Sequence, residues 1–168
     1  KDGKITSNET ADLIDSLNLK LSFELNDKDN LDNQLKKIKK IFTDNQEKLN
    51  ISKNSENIKI EVIGNINIIS LFAKNYPIKS QKNFIDEQKK IYKKNSMMLL
   101  VSSDDQKVSI ILGLTSDLTN ILNATELVNI ASKIVGGKGG GGRKDLAQAG
   151  GNDPKKVKDI YQTLVNKI

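Results

Sequence analysis

The chain contains no cysteine and no histidine. Those two absences remove disulfides, thiol nucleophiles, Ser-His-Asp triads and the usual zinc sites, so no metal-ligand set is expected. Chemistry would fall to carboxylates, hydroxyls or lysines. Aromatic residues make up 4% of the 168 positions, which disfavours readout of single strands by stacking and favours recognition by shape and backbone. No apolar run approaches the roughly 18 residues of a membrane span, and no signal-peptide pattern opens the chain. No membrane partner is therefore expected, and a cytoplasmic location is. The chain starts at Lys1 rather than Met, as a piece of something longer would.

What is present is charge, unevenly placed. The net charge is +6, yet residues 1–55 hold ten lysines against ten acids, and the whole excess lies in residues 56–168, with seventeen basic residues against eleven acidic ones. This asymmetry points to a polyanion-binding C-terminal domain behind a neutral N-terminal appendage. The expected fold is α+β, a mixed β-sheet packed with helices and preceded by an N-terminal helical arm. Residues 1–55 form the mainly helical arm, suited to self-association or interdomain packing, and residues 56–168 form the globular domain.

Along the arm, Thr6-Ser7-Asn8-Glu9 is a capping-box pattern opening a short helix to about Leu17. Leu17, Leu19, Leu21, Phe23 and Leu25 then alternate with polar residues, which fits either a strand or a distorted helical segment. From Asn30 to Leu49, Leu31, Leu35, Ile38, Phe42 and Leu49 form one apolar seam on a charged helix. The polar stretch from Ile51 to Asn57 marks the domain boundary.

In the second domain Ile58, Ile60 and Val62 alternate, Gly64-Asn65 turns, and Ile66 to Phe72 resumes, predicting two strands. A helix from about Ser80 to Lys94 should bury Phe84, Ile85, Ile91 and Tyr92 and leave its lysines solvated. Met97 to Val101 is continuously apolar, as a central strand covered on both faces would be. Ser102 to Gln106 turns, and Val108, Ile110, Leu112 and Leu114 alternate. Asn123 and Glu126 bracket a helix start, with Leu127, Ile130, Ala131 and Ile134 as its buried stripe. Gly136 stops that helix. Ala147 to Gly151 is a short strand, and Asp153-Pro154 launches a last helix that buries Val157, Ile160, Tyr161, Leu164, Val165 and Ile168.

Between these elements lies Gly136-Gly137-Lys138-Gly139-Gly140-Gly141-Gly142-Arg143-Lys144, with six glycines in seven positions and the sole arginine of the chain. Ordering such a run is entropically costly, so a fold keeps it where main chain must approach something closely. It is expected to be a loop pinned between two packed helices. Gly137, Gly139 and Gly142 spell G-x-G-x-x-G, but that fingerprint follows a strand and opens a helix, whereas this run follows a helix. A phosphate-binding P-loop also fails, because no Lys-Ser or Lys-Thr closes the spacing. Asp104 and Asp105 read as hairpin residues, and Asp145 and Asp153 as capping or lysine-pairing residues, so no catalytic residue is assigned. Glycine N–H groups meeting phosphate or ribose, with Lys138, Arg143 and Lys144 supplying charge, fit a nucleic-acid contact.

GGKGGGGRKDLAQAGG, from Gly136 to Gly151, resembles the C-terminal domain of bacterial alanyl-tRNA synthetase, in which a GGKGGGR...AQAGG signature precedes the last helix. The helix ELVNIASKIVGG before it is similar too, and the resemblance spans about Asn30 to Ile168. Lys144 stands where that family often has Pro, and Leu146 where it often has Met. The resemblance implies a DHH-associated type of fold and a non-catalytic domain that takes no cofactor. It would bind the tRNA elbow, most naturally that of the alanine tRNA, and support aminoacylation and editing by catalytic and editing domains of a parent alanine-tRNA ligase. The implied RNA-binding set is Lys138, Gly139, Gly140, Gly141, Gly142, Arg143, Lys144 and Gln148. A homodimer through the N-terminal helix is a further implied partner. The alternatives are the nucleic-acid-binding C-terminal domain of a DHH-type phosphoesterase, and an oligomerisation module.

Overall fold

The computed structural model describes residues 33, 35–41 and 57–168. The expected capping box at Thr6, the alternation from Leu17 to Leu25, most of the Leu31 to Leu49 seam and residues 51–56 of the boundary lie outside the described residues. The chain divides into two units, Lys1–Lys48 and Leu49–Ile168. In the first, residues 33 and 35–41 are helical, and Leu35 and Ile38 are exposed.

The second unit is a six-stranded mixed sheet. Its strands are β1 (Ile58–Ile63), β2 (Ile66–Lys74), β3 (Ser96–Ser103), β4 (Val108–Leu114), β5 (Gly139–Arg143) and β6 (Leu146–Gly151), in the spatial order β1-β2-β3-β4-β6-β5. Only β2 and β3 pair in parallel; every other neighbouring pair is antiparallel. A parallel pair needs a crossover, and helix α1 (Ile78–Ile91) supplies it. Helix α2 (Ala124–Ile134) joins β4 to β5, and helix α3 (Val157–Val165) closes the chain after a 3-10 turn at Pro154–Lys156.

Strand alternation sends side chains to two separate cores. Ile68, Met97, Leu99, Val101, Ile110 and Leu112 pack with Leu127, Val128 and Ala131 of α2 and with Ile160 and Leu164 of α3. On the opposite face Ile69, Leu71, Met98, Leu100 and Ile111 pack with Phe84 and Ile85 of α1. Met97 to Val101 is thus buried on both sides, as its unbroken apolar run requires. Burying each such large side chain contributes about 1.5–3 kcal/mol.

Local signals set the ends of the helices. The side chain of Asn123 accepts a hydrogen bond from the Thr125 N–H and caps α2. That of Asp153 accepts from the Lys155 N–H at the Pro154 turn. Helix α1 begins directly after Pro77 and ends at Ile91, slightly before the span the sequence suggested. Ile91 is exposed rather than buried, because α1 stops there and its inward stripe is Gln81, Phe84, Ile85 and Gln88. Gly113 on β4 faces this stripe, where an added Cβ would lie 2.3 Å from Ile85 Cγ2.

One expectation is overturned. The glycine run is not a loop between helices. After Gly136 and Gly137 it becomes strand β5, paired residue for residue with β6 from Gly139–Gly150 to Arg143–Leu146. Without side chains it shows no period-2 pattern, and glycine disfavours strands, so nothing local announced it. Packing decides the matter, as the site geometry shows.

Candidate nucleic-acid interface

Strand β5 is an edge strand held by α2 on one side and β6 on the other. The Ser132 hydroxyl, fully buried on α2, accepts from the Gly139 N–H at 3.1 Å and donates to the Gly150 carbonyl at 2.7 Å. Gly139 and Gly150 are register partners, so one hydroxyl completes the ladder where the strands part around it. The side-chain oxygen of Asn129, one turn earlier on α2, accepts from the Gly140 N–H at 2.6 Å. The Gly137 N–H donates to the Ser132 carbonyl at 2.8 Å.

This close approach leaves no room for side chains. A Cβ on Gly137 would sit 1.9 Å from the Gly150 carbonyl oxygen, and one on Gly140 would sit 2.2 Å from that of Gln148. Gly141 differs from both. Nothing lies within 4 Å of where its Cβ would project, and its backbone is outside the left-handed region. Nothing within the described fold requires glycine there.

Gly141 pairs with Gln148, which pairs in turn with Ile111 of the α1-covered core. Gly141 and Gln148 therefore share the sheet face that α1 covers further in, but both are exposed. The result is an almost bare shelf of backbone at the edge of the sheet.

The tight turn at Lys144-Asp145 closes the shelf and is fixed from three sides. The Ala124 N–H donates to the Lys144 carbonyl, the Leu114 N–H to the Asp145 carbonyl, and the Lys89 ammonium to that same Asp145 carbonyl at 3.0 Å and to its carboxylate at 3.1 Å. The Asp145 carboxylate also accepts from Arg143 Nε at 3.0 Å. The Arg143 guanidinium, followed by Lys89, holds the Asp145 carboxyl below the usual carboxylate range, against the opposing effect of partial burial. Arg143 is 74% exposed, so its fork is oriented by Asp145 but remains open to a partner.

The structure places the whole sequence-predicted set on the β5–β6 hairpin. Lys138, Gly140, Gly141, Gly142, Arg143, Lys144 and Gln148 are exposed or half-buried along one hairpin, and Gly139 is half-buried. Of the glycine N–H groups, those of Gly137, Gly139 and Gly140 are committed within the protein. Lys89, expected to be merely solvated, is part of the clamp. Sequence reasoning also missed Asn129 and Ser132; the signal was two polar residues three apart beside the apolar stripe of Leu127, Val128 and Ala131. Asp104 lies far along the chain from this hairpin, and its carboxylate accepts from the Gln106 and Lys107 N–H groups, as a hairpin residue should. Among the described residues no group of three or more carboxylates or other metal-ligating side chains comes together, and no helix is long and apolar enough to cross a membrane.

Comparison with known proteins gives this geometry a context. A family model described as the DHHA1 domain matches residues 65–168. The alanine–tRNA ligase of Rhodopseudomonas palustris is 38% identical over 106 residues, which are 63% of this chain and 12% of that relative. The chain therefore corresponds to a small part of that protein's length. The crystal structure of the C-Ala domain of Aquifex aeolicus alanyl-tRNA synthetase superposes with a TM-score of 0.61 at 26% identity, covering 64% of this chain and 96% of that one. A DHH domain described as belonging to a family of ribosomal proteins superposes with a TM-score of 0.52 at 14% identity, over 77% of this chain and 32% of that one, a likeness of fold alone.

Proposed function

The chain belongs to the DHHA1 domain family, and on that premise we propose that it is the non-catalytic C-terminal domain of an alanine–tRNA ligase, binding tRNA through the β5–β6 hairpin. The observation that carries this reading is Gly141. A glycine with open space around it, outside the left-handed region, on an exposed strand flanked by Lys138, Arg143 and Lys144, is explained by a partner whose surface must come against the main chain. A folded RNA meets that description, with phosphates for the cations and a flat stacked surface for the shelf.

Within this reading the contacted region is the tRNA elbow, where the D and T loops meet, as the GGKGGGGRKDLAQAGG signature implies. Arg143, already oriented by Asp145, would form a bidentate contact to phosphate. The domain would present the acceptor end to the aminoacylation and editing domains of the parent enzyme in the cytoplasm, and the role calls for no cofactor. A second reading, self-association through the N-terminal helix, rests on the exposure of Leu35 and Ile38, three residues apart on one helical face.

Fluorescence anisotropy with labelled alanine tRNA across a salt series tests the proposal. If about four to six phosphates are engaged, log affinity should fall with log salt with a slope of about −4 to −5. Arg143→Ala should weaken binding more than Lys82→Ala on α1. Failure to bind at low salt, or equal effects of the two substitutions, would sink the reading.

A further inference from the structure

A second concave site lies at the other edge of the sheet and on the other face. A groove of about 880 Å³ runs between β1, β2 and the start of α3. Phe72 and Tyr161 meet edge to face on its wall, with ring centroids 6.5 Å apart. Four lysines line it: Lys59 on β1, Lys74 at the end of β2, Lys155 in the 3-10 turn before α3 and Lys158 in the first turn of α3. Among the described residues none of the four is in an ion pair. Among the described residues Glu61 is the groove's sole acid, and its Oε2 accepts from the Tyr161 hydroxyl at 2.5 Å.

The groove is electrically graded. Lys59 and Glu61 are two residues apart on one strand and so share a face about 7 Å apart. Lys59 pairs with Ser70, toward the Lys74 end of β2, whereas Glu61 pairs with Ile68, away from it. Lys59, Lys74 and Phe72 thus lie toward one end, and the Glu61 carboxylate, reached by the Tyr161 hydroxyl, lies toward the other. The Tyr161 hydroxyl, whose pKa is pushed up to about 12 by burial and by Glu61, keeps its proton at neutral pH and fixes the carboxylate by donating to it. Glu61 Oε1 is left to accept from something else.

We infer that this groove binds a 5′-nucleotide, with its phosphate among Lys59, Lys155 and Lys158, its base against Tyr161 and Phe72, and an amino-bearing base edge donating to Glu61. Guanine fits best, because its ring N–H and exocyclic amine present two adjacent donors, one to Oε1 and one to the lone pair of Oε2 that Tyr161 leaves free. The volume is that of small-molecule sites, which are mostly apolar with a few converging polar groups. The site is separate from the glycine hairpin: β1 and β5 are opposite edges of the sheet, five strand spacings or roughly 24 Å apart. The proposal does not depend on the tRNA reading.

The test is titration of the full chain, labelled with ¹⁵N, with GMP, UMP and inorganic phosphate, read by amide chemical shifts. Saturable shifts are expected at Glu61, Phe72, Lys158 and Tyr161, with GMP binding at least about fivefold tighter than UMP, the low end of discrimination by paired hydrogen bonds. Glu61→Gln should erase that preference while the thermal midpoint stays near wild type. Lys158→Glu, on an exposed position, should weaken both nucleotides. A parallel arm with a single-stranded oligonucleotide ending in guanosine separates the sources: saturation by GMP identifies a free nucleotide, and saturation by the oligonucleotide alone identifies an RNA end. Inorganic phosphate matching GMP in affinity, shifts confined to residues 139–148, or no saturation by either guanosine ligand in the millimolar range would overturn the proposal.

Discussion

Replacing Gly141 with Val separates what the fold needs from what a partner needs. The position is extended and open, so a β-branched side chain would fill solvent and fit the strand backbone. Unfolding by urea should show stability unchanged or raised by up to about 1 kcal/mol, because glycine's unfolded-state freedom is removed. Gly140→Ala is the contrasting control: its Cβ would meet the Gln148 carbonyl oxygen at 2.2 Å and Ala149 Cβ at 2.5 Å. Backbone cannot yield cheaply, so a loss of about 1–3 kcal/mol is expected. If RNA rests on the shelf, three added carbons at Gly141 should hold it off and lower tRNA affinity at least tenfold, about 1.4 kcal/mol, in anisotropy titrations at fixed salt. A folded Gly141→Val chain that binds tRNA like wild type would refute the assignment of this face. A chain that fails to fold would refute the pairing of Gly141 with Gln148.

Ser132→Ala should cost about 1–3 kcal/mol in thermal denaturation, because it leaves the Gly139 N–H and Gly150 carbonyl without their shared partner; wild-type stability would show that the two strands can close on each other. Gly113→Ala should destabilise by about 1–3 kcal/mol through contact with Ile85 Cγ2, and a compensating Ile85→Leu, which lacks that methyl branch, should recover part of the loss. The charged form of Asp145 is the stabilising one, so its contribution is full above the unfolded carboxylate value near 3.9 and is lost as pH falls through the lower folded value. The stability difference between wild type and Asp145→Asn should therefore be flat above about pH 5 and shrink on acidification; growth of that difference in acid would contradict the pairing with Arg143 and Lys89.

Much of the sheet was legible because its signals are local. Five consecutive apolar residues at Met97 to Val101 meant burial on both faces, and the alternation of β4, the Asn123 cap and the Asp153-Pro154 pair each mapped onto an observed element. The glycine strand was not legible, since a run without side chains carries no periodicity and its conformation is dictated by Asn129 and Ser132 on another element. The clamp on Asp145 escaped for a different reason. Lys89 lies 56 residues away, and whether one lysine among four on a helix finds a carboxylate depends on how that helix is laid across the sheet. Tyr161, read as a core residue, is half-buried and donates to Glu61 across 100 residues of sequence. Its apolar body and polar tip fit the rim of a groove as well as a core, and periodicity cannot tell these apart.

The position of β5 at the margin of the sheet also bears on solubility. A marginal strand with no side chains to hinder approach is a template on which another chain could pair, and natural proteins guard such edges with charge or by occupying their donors. Here Asn129 occupies the Gly140 N–H, and Lys138, Arg143 and Lys144 place like charges at both ends of a five-residue strand. A second copy approaching edge to edge would bring those charges together, whereas a polyanion would be drawn to them. The same residues can therefore exclude self-pairing and still leave the backbone of a glycine edge exposed.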